Sequence, residues 1–299
     1  MRVFVTGATG FIGSVIVREL IGAGHQVLGL ARSDKAAASL SAAGAEVHHG
    51  SLNDLKSLQS GAAAADGVIH AGFVHDFSDM ASACEIDRRA IETLGTALAG
   101  SGRPLVITSG TALVAPGRVV TEEDDKPDPN SVTALRFASE VAALALVDQD
   151  VRVSIVRLPP SVHGEGDHGF VPQLIEAARS KGVSAYVGDG LNRWAAVHRL
   201  DAAHLFRLAL ESAPAGSRLH GVGEEGVLIR DIAGVIGQHL NVPVTAISID
   251  EATNHFGWLG NILAMDAPAS STLTRERLGW NPVQQGLITD LDQPYYFKS

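Results

Sequence analysis

The chain has 299 residues, with 23 Lys plus Arg against 33 Asp plus Glu, and its formal net charge is −10. This acidic balance argues against a protein that binds nucleic acid or an anionic membrane, because no basic field is present to attract phosphates. A hydrophobic content of 45% is too high for disorder. The sequence also has no run of about 18 apolar residues that would span a bilayer. The single cysteine, Cys84, excludes a disulfide framework and a thiolate zinc cluster.

Short β-branched or apolar runs alternate with longer Ala- and Leu-rich stretches up to residue 158. The runs predict strands at Arg2–Thr6, Gln26–Ala31, Glu46–His49, Gly67–His70, Pro104–Thr108 and Arg152–Leu158. The stretches predict helices at Ile12–Gly22, Ser33–Ala43, Asp54–Ala63, Ala81–Ala99 and Val132–Gln149. This alternation predicts an α/β fold with a parallel sheet covered on both faces, which binds ligands at the carboxyl ends of its strands.

The regular alternation ends near residue 159, where glycine and proline become frequent. Helices are predicted near Val171–Ser180, Leu200–Leu210 and Ile229–Leu240. We therefore predict a first domain of residues 1–158 and a smaller lobe of residues 159–299, with a segment near 191–212 that returns to the first domain. Because no targeting segment precedes the first predicted strand, the expected location is the cytoplasm.

The first predicted strand leads directly into a G-x-x-G-x-x-G loop and then a helix. Gly7 allows the tight turn, Gly10 lets backbone amides approach a diphosphate, and Gly13 lets the helix pack against the strand. This strand–turn–helix context predicts a dinucleotide site, whereas a glycine triplet alone would be weak evidence.

The end of the second predicted strand bears on the choice of dinucleotide. Sites for NAD usually place an acidic residue there to bind the ribose hydroxyls, but this chain has Ala31. Arg32 and Ser33 follow, and a guanidinium with a hydroxyl suits a 2′-phosphate. The sequence thus favours NADP over NAD, although Arg32 alone would also be compatible with a solvated surface position.

Further motifs follow in order along the chain: HAG at 70–72, ITSGT at 107–111, RLPPSVHG at 157–164, GDG at 188–190, VHRLD at 197–201 and LGWNP at 278–282. Together with TGATGFIG at 6–13, they resemble the extended short-chain dehydrogenase/reductase family. The resemblance implies a Rossmann-type doubly wound parallel sheet, a smaller C-terminal substrate lobe and a nicotinamide cofactor. The cofactor contacts that it implies are Gly7, Thr9, Gly10, Phe11, Ile12, Gly13, Arg32, Ser33, Leu52, Ala71, Gly72, Thr108, Arg136, Pro159, Ser161 and Val162.

The catalytic YxxxK motif of that family is missing. The chain's tyrosines are at positions 186, 295 and 296, and no lysine lies between residues 126 and 181. With Glu140 as the anchor for alignment, Val132 takes the place of the tyrosine and Arg136 that of the lysine. In this respect the chain resembles the atypical, NAD-dependent epimerase/dehydratase-like members of the family.

The loss of the tyrosine removes the family's general acid or base. Arg136 keeps the positive charge and the ribose contact, but its pKa is too high for proton donation at pH 7. The hydroxyls of Thr108, Ser109 and Thr111 remain at the end of the fifth strand, where Ser109 and Thr111 occupy the region of the family's catalytic Ser or Thr.

Histidine is the natural replacement for the missing proton donor, because it titrates near neutral pH. His75 lies in the loop after the fourth strand and is followed by Asp76, and His163 follows the PPSV stretch at 159–162. Either histidine would serve as the donor, or each is an ordinary hydrogen-bonded loop residue. The loop of residues 163–168 contains several potential metal ligands, but without a second ligand cluster we predict no metal site.

For the substrate we expect contacts from Val74, His75, Arg193 and Trp194. The Arg193–Trp194 pair would line a pocket, or Trp194 would belong to the core of the lobe. The predicted helix over 132–147 is apolar nearly all round, which predicts burial on both sides. The family resemblance implies a homodimer through this helix and the helix near 81–99; otherwise it is a core helix.

These features favour an NADP-dependent oxidoreductase that reduces a small carbonyl, enone or imine substrate without the usual Tyr/Lys pair. Hydride transfer needs only an electrophile held in the correct geometry beside the cofactor. One alternative is an epimerase, isomerase or dehydratase whose cofactor is recycled in each turnover. The other is a dinucleotide-binding sensor without turnover.

Overall fold

The computed structural model describes residues 1–75, 79–114, 117–127 and 134–298, apart from the side chain of Asn261. The strands are β1 Arg2–Thr6, β2 Gln26–Ala31, β3 Glu46–His49, β4 Gly67–His70, β5 Pro104–Gly110, β6 Arg152–Leu158, β7 Ser161–His163, β8 Ser184–Val187, β9 Arg193–His198, β10 Ser217–His220, β11 Glu224–Leu228 and β12 Val244–Ile247. The helices are α1 Gly13–Gly22, α2 Asp34–Ala42, α3 Leu55–Ala63, α4 Met80–Leu98, α5 Ala134–Leu144, α6 Phe170–Lys181, α7 Arg199–Ser212, α8 Ile229–Leu240, α9 Ile249–Phe256, α10 Leu259–Leu263, α11 Thr272–Leu278 and α12 Leu287–Leu291. Short 3-10 helices span Thr111–Leu113, Val147–Gln149 and Pro294–Tyr296.

The main sheet of the described chain is parallel and has the strand order β10-β6-β5-β4-β1-β2-β3. β1 pairs with β2 on one side and with β4 on the other, so the strand order reverses between β1 and β4. In doubly wound sheets the ligand crevice lies at the carboxyl ends of the strands at such a reversal. The predicted α/β doubly wound fold is confirmed. β5 continues to Gly110, two residues beyond its predicted end.

Both faces of the main sheet are buried because successive side chains of its apolar strands point to opposite faces. On one face, Val5 packs in a cluster with Ile16 of α1 and Phe206 of α7. On the other, Phe4 packs with Leu58 of α3 and residues of α4 and α5. α3 approaches the sheet closely, since a Cβ added at Gly61 would lie 2.4 Å from the Phe4 ring.

The second lobe contains the sheets β11-β9-β7 and β12-β8. After β9, α7 packs with α1, and β10 extends the main sheet beside β6. The division into a first domain of residues 1–158 and a lobe of residues 159–299 stays a prediction. Within the predicted segment of 191–212, β9 belongs to the sheet of the lobe, because it pairs with β7 and β11.

α5 differs from the helix predicted over 132–149. It spans Ala134–Leu144, and residues 132 and 133 lie outside the described ranges. Leu135 and Val141 are 52% and 58% exposed, so the prediction that this helix is buried on both sides is wrong for the single chain. Its apolar composition extends around the helix, whereas only the face of Phe137, Glu140 and Ala143 contacts the core. In the described part of the chain, no helix is long and apolar enough to cross a membrane.

Candidate active site

The glycine loop after β1 forms a cradle that side chains would fill. Gly7 has a φ of +66°, and its carbonyl accepts a hydrogen bond from the Gly10 amide at 2.9 Å. A Cβ at Gly7 would lie 2.5 Å from the Ala71 carbonyl oxygen, and one at Gly13 would lie 2.0 Å from the Gly7 oxygen. α1 begins at Gly13 without a side-chain cap. The loop and the positive end of α1 therefore fit a dinucleotide diphosphate.

A recess of about 320 Å³ lies at the ends of β2 and β3. Arg32 and Ser33 are exposed there, whereas Ala31 is buried, and Ser33 also caps α2 by accepting a hydrogen bond from the Ala36 amide at 3.3 Å. The recess thus contains a cation and a hydroxyl for a 2′-phosphate, together with carboxylates that would repel one. Its lining residues are Ala31, Arg32, Ser33, Asp34, His49, Gly50, Ser51 and Asp54.

Arg136 on α5 lies beside the carboxyl ends of β4 and β5. Its Nη2 donates a hydrogen bond to the Thr108 carbonyl at 3.2 Å, and its guanidinium carbon lies 3.8 Å from the centre of the Phe73 ring. Nη1 lies 3.7 Å from Asp87 Oδ2 and has no hydrogen-bond partner among the described residues. Val132, which the alignment puts at the tyrosine position, lies outside the described residues.

A buried chain of hydrogen bonds holds the surroundings of Arg136 in place; we call these surroundings the Arg136 corner. This chain of hydrogen bonds was not predicted from the sequence. Thr6 Oγ1 lies 2.8 Å from His70 Nδ1, and His70 Nε2 lies 3.1 Å from Asp87 Oδ1. Ser139 donates to Asp87 Oδ2 at 2.6 Å. Burial would raise the pKa of Asp87, but the hydrogen bond from His70 and the charge of Arg136 lower it below its usual value. One signal in the sequence could have predicted this network, because Asp87 is an acidic residue on the otherwise apolar face of α4.

A second buried network joins Ser109 to an ion pair. Arg157 Nε and Nη2 donate to the two carboxylate oxygens of Glu140 at 2.9 and 2.7 Å, and both residues are fully buried. Ser109 Oγ donates to Glu140 Oε1 at 2.5 Å. The hydroxyl proton of Ser109 is therefore already donated within the protein.

The other two hydroxyls at the end of β5 differ from each other. Thr108 Oγ1 donates to the His70 carbonyl at 2.9 Å, which ties β5 to β4. Thr111 Oγ1 is buried and has no hydrogen-bond partner in the described ranges. Of the three predicted hydroxyls, Thr111 is the one whose proton is not donated to a partner in the described ranges, so it can donate to a ligand.

His75 lies exposed in the loop after β4. Its ring contacts the Phe73 ring edge-on at a centroid distance of 5.3 Å. Partial desolvation and the positive charge of Arg136 lower the pKa of His75 below 6.5, so its ring is mostly neutral at pH 7. Val74 lies in the same loop, and Asp76 lies outside the described residues. The structure thus brings His75 near the Arg136 corner.

His163 has a different environment. Its ring is buried, its Nδ1 lies 2.9 Å from Asp290 Oδ2, and its Nε2 has no partner among the described residues. Burial would raise the pKa of Asp290, but hydrogen bonds from His163 and Tyr295 lower it to about 2. His163 therefore links the β7 strand to the C-terminal helix α12, and its ring packs against His198 rather than against the Arg136 corner.

The Arg193–Trp194 pair is not brought to the site. Arg193 Nε and Nη2 donate to Asp266 at 3.1 and 2.8 Å. Trp194 is fully buried in the core of the lobe, 5.4 Å from the Phe170 ring, so it offers no surface to a substrate. In the described part of the chain, no group of three His, Cys, Asp or Glu side chains is arranged to hold a metal ion.

Comparisons with known proteins bear on this site. The NAD dependent epimerase/dehydratase family matches residues 3–220. An uncharacterized protein of Schizosaccharomyces pombe is 54% identical over 298 residues, covering 99% of this chain and 100% of that protein. The 4-hydroxy-2-methyl-3-oxo-4-farnesyl-3,4-dihydroquinoline-1-oxide ketoreductase of Stigmatella aurantiaca is 31% identical, covering 72% of this chain and 66% of that enzyme.

Among solved structures, the dTDP-glucose 4,6-dehydratase of Streptomyces venezuelae with NAD bound has the same fold. Its TM-score is 0.80 at 22% identity, covering 99% of this chain and 97% of that chain. The resemblance inferred from the sequence motifs is confirmed by the family match, which extends from β1 through β10. The chain belongs to the NAD dependent epimerase/dehydratase family.

Proposed function

We propose that the protein is an NADP-dependent oxidoreductase that reduces a small carbonyl, enone or imine substrate. The observation that carries this proposal is the position of Arg136, whose guanidinium lies beside Phe73 and the Thr108 carbonyl at the carboxyl ends of β4 and β5. A cation is thereby kept in the catalytic corner although the YxxxK motif is absent. The similarity to a ketoreductase supports reduction.

The cofactor proposal rests on the cradle and the recess. The Gly7–Gly13 loop would hold the diphosphate, and Arg136 would contact the nicotinamide ribose. Arg32 and Ser33 would bind the 2′-phosphate, because a guanidinium offers paired donors to phosphate oxygens. Asp34 and Asp54 line the same recess and would weaken this binding without removing the donors.

When bound, the nicotinamide would supply a hydride to the electrophilic carbon of the substrate. The unpartnered Thr111 hydroxyl would donate a hydrogen bond to the substrate oxygen, and the charge of Arg136 would stabilise the negative charge that develops there. An arginine guanidinium is no proton donor at neutral pH. The proton would therefore reach the oxygen from water or from the protonated fraction of His75, and an activated enone or imine would need this acid least.

The lowered pKa of His75 favours a second candidate. A mostly neutral imidazole accepts a proton at pH 7, which suits an epimerase, isomerase or dehydratase with a recycled cofactor. This candidate predicts conversion of substrate without net consumption of NADPH.

The first test is a titration of the protein with NADPH and NADH, followed by nicotinamide fluorescence, and then addition of a panel of ketones, enones and imines. We expect tight NADPH binding and oxidation by at least one panel member. Arg32→Ala should weaken NADPH by about 10- to 100-fold and NADH by little, because one charge-assisted phosphate contact is lost. The control is Arg89→Ala, which removes an exposed arginine of α4.

Equal losses of NADPH and NADH affinity in Arg32→Ala would contradict the 2′-phosphate assignment. Tight binding without oxidation would favour the recycling enzyme or the sensor. Failure to bind either dinucleotide would overturn the proposed function.

We also propose a homodimer through α4 and α5. The support is the exposed apolar face of α5, on which Leu135 and Val141 lie, since a second copy would bury it. Val141→Glu should convert the dimer to a monomer in analytical ultracentrifugation, with Arg277→Ala, at an exposed position on α11 outside both helices, as the control. A monomeric wild-type protein would contradict this assembly.

A further inference from the structure

Arg199 is the first residue of α7, the helix that returns from the lobe to the first domain. Its guanidinium carbon lies 4.9 Å from the centre of the Phe11 ring. Phe11 lies between the second and third glycines of the cradle. The lobe side of the molecule therefore supplies a cation at the mouth of the glycine loop.

The loop after β7 encloses Arg199 from the other side. A Cβ added at Gly164 would lie 3.2 Å from Arg199 Cγ, and one at Gly166 would lie 3.7 Å from Arg199 Nη1. His168 of the same loop contacts the Phe11 ring at a centroid distance of 5.6 Å. Arg199 is thus held between two loops, and the absence of side chains at Gly164 and Gly166 leaves room for its guanidinium.

No carboxylate of the described residues lies within ion-pair distance of Arg199, although the charges of Glu165 and Asp290 act on it from farther away. The described part of the chain gives its guanidinium no hydrogen bond and no ion pair. Burial and the nearby charge of Arg18 lower the pKa of Arg199, and the charge of Glu165 opposes this shift. On the same helix, Arg207 is paired with Glu19 at 2.7 Å and with Glu211 at 3.0 Å. A constrained cation without a partner therefore faces a loop that fits an anionic ligand.

We propose that Arg199 binds the diphosphate of the dinucleotide and so closes the cradle from the side of the lobe. This inference rests on the proposed dinucleotide binding. The planar guanidinium would donate paired hydrogen bonds to phosphate oxygens, and its contact with the Phe11 ring would hold it in orientation. An anionic group of the substrate would offer the same chemistry, but the position of Arg199 over the glycine loop favours the diphosphate.

The test compares wild type, Arg199→Ala and Arg199→Lys in titrations with NADPH, 2′-phospho-ADP-ribose and 2′-AMP. Arg199→Ala should weaken the first two ligands by about 10- to 100-fold, because a charge-assisted contact to phosphate is lost. Binding of 2′-AMP should stay unchanged, since this ligand has no diphosphate. Arg199→Lys should be intermediate, because lysine keeps the charge without the paired donors.

Arg277→Ala is the matched control, because it removes the same charge from an exposed position on α11; its affinities should equal those of wild type. Thermal unfolding of each ligand-free variant would check that the fold is intact. Unchanged NADPH affinity in Arg199→Ala would overturn this inference alone, as would a loss confined to the KM of the substrate, which would assign Arg199 to a substrate anion. Absence of dinucleotide binding by wild type would overturn the proposed function and this inference together.

Discussion

Two arginines near the carboxyl ends of β5 and β6 have contrasting surroundings. Arg157 is fully buried, donates two hydrogen bonds to Glu140 and donates a third to the Asp124 carbonyl at 2.7 Å. Arg136 has a side chain that is 18% exposed, donates one hydrogen bond to a backbone carbonyl, and keeps Nη1 at 3.7 Å from Asp87. The Arg157–Glu140 network is closed, whereas the Arg136 corner has a donor left over.

The contrast separates a structural role from a binding role. A closed buried ion pair adds little net stability compared with apolar packing, but the loss of one partner leaves an uncompensated buried charge. An unsatisfied buried donor costs about 1–3 kcal/mol, and at Arg136 a ligand bound beside the ends of β4 and β5 would complete the contact. Arg157 therefore belongs to the scaffold, and Arg136 to the candidate active site.

The largest expected effect is on the stability of the closed network. Arg157→Met should lower the free energy of unfolding by about 3–5 kcal/mol, because the Glu140 carboxylate stays buried without its partner. Urea unfolding would measure this change, and a titration would show whether the folded variant still binds NADPH.

The control for this comparison is Arg88→Ala. Arg88 pairs with Glu85 and Glu92 on the surface of α4, and exposed pairs contribute about 0.2–1 kcal/mol. The double variant Arg157→Met/Glu140→Met should recover much of the lost stability. Similar losses in Arg157→Met and Arg88→Ala would contradict a closed network.

The second effect is on the pH dependence of folding stability, and it comes from a histidine close to the Arg157–Glu140 network. His220 at the end of β10 has its Nδ1 2.8 Å from the Ser270 carbonyl. Burial lowers the pKa of His220 to about 4, against an opposing effect of Glu122. Between about pH 6.5 and 4 the unfolded chain binds a proton that the folded protein does not. The contribution of neutral, buried His220 to the free energy of unfolding is therefore fully present above pH 6.5. About 3 kcal/mol of this free energy is lost as the pH falls to 4.

Asp167 opposes this trend, because burial raises its pKa to about 6. Its stabilising contribution is present below the unfolded pKa of about 3.9 and is lost as the pH rises through 6. We therefore expect Asp167→Asn to show the full acid destabilisation between pH 6.5 and 4, and Asp167→Asn/His220→Asn to lack it. Urea unfolding at pH 7 and pH 4.5 would measure both. Identical pH slopes in the two variants would show that His220 does not remain neutral.

The third effect concerns the Arg136 corner. Arg136→Met should lower turnover by about 100-fold, because a preorganised positive charge at the reacting oxygen is lost. Its free energy of unfolding should change by about 1 kcal/mol, since Asp87 keeps its hydrogen bonds to His70 and Ser139. Steady-state kinetics with a substrate from the panel would measure turnover. Arg136→Lys should restore part of it, whereas full turnover in Arg136→Met would place the reaction elsewhere.

The smallest effects separate two neighbouring hydroxyls. Ser109→Ala should lower the free energy of unfolding by about 1–2 kcal/mol and leave turnover nearly unchanged, because Ser109 donates to Glu140. Thr111→Val should raise the free energy of unfolding by about 1 kcal/mol and lower turnover by about tenfold, because the hydroxyl it removes is buried and has no partner in the described chain. The reverse pattern would assign Ser109 to the site and Thr111 to the scaffold.

The sequence was most informative where structure depends on neighbouring residues. The predicted bounds of Gln26–Ala31 match β2, because a short apolar run between turn signals specifies a buried strand. The helix predicted over 132–149 was too long, because alanine-rich composition does not mark where a helix ends. Its exposed face could not be read from the residue types either, since apolar side chains occur on both sides of α5.

The sequence by itself determined the α/β alternation, the glycine loop and the absence of the Tyr/Lys pair, because each depends on residues close together in the chain. Only the tertiary structure decided which charged side chains are paired and which are available. Arg193 pairs with Asp266, 73 positions away, and His163 lies within hydrogen-bond distance of Asp290, 127 positions away. Arg199, in contrast, contacts the Phe11 ring, 188 positions away, and forms no ion pair within the described chain. Such pairings depend on contacts between distant segments, and no local spacing in the sequence encodes them.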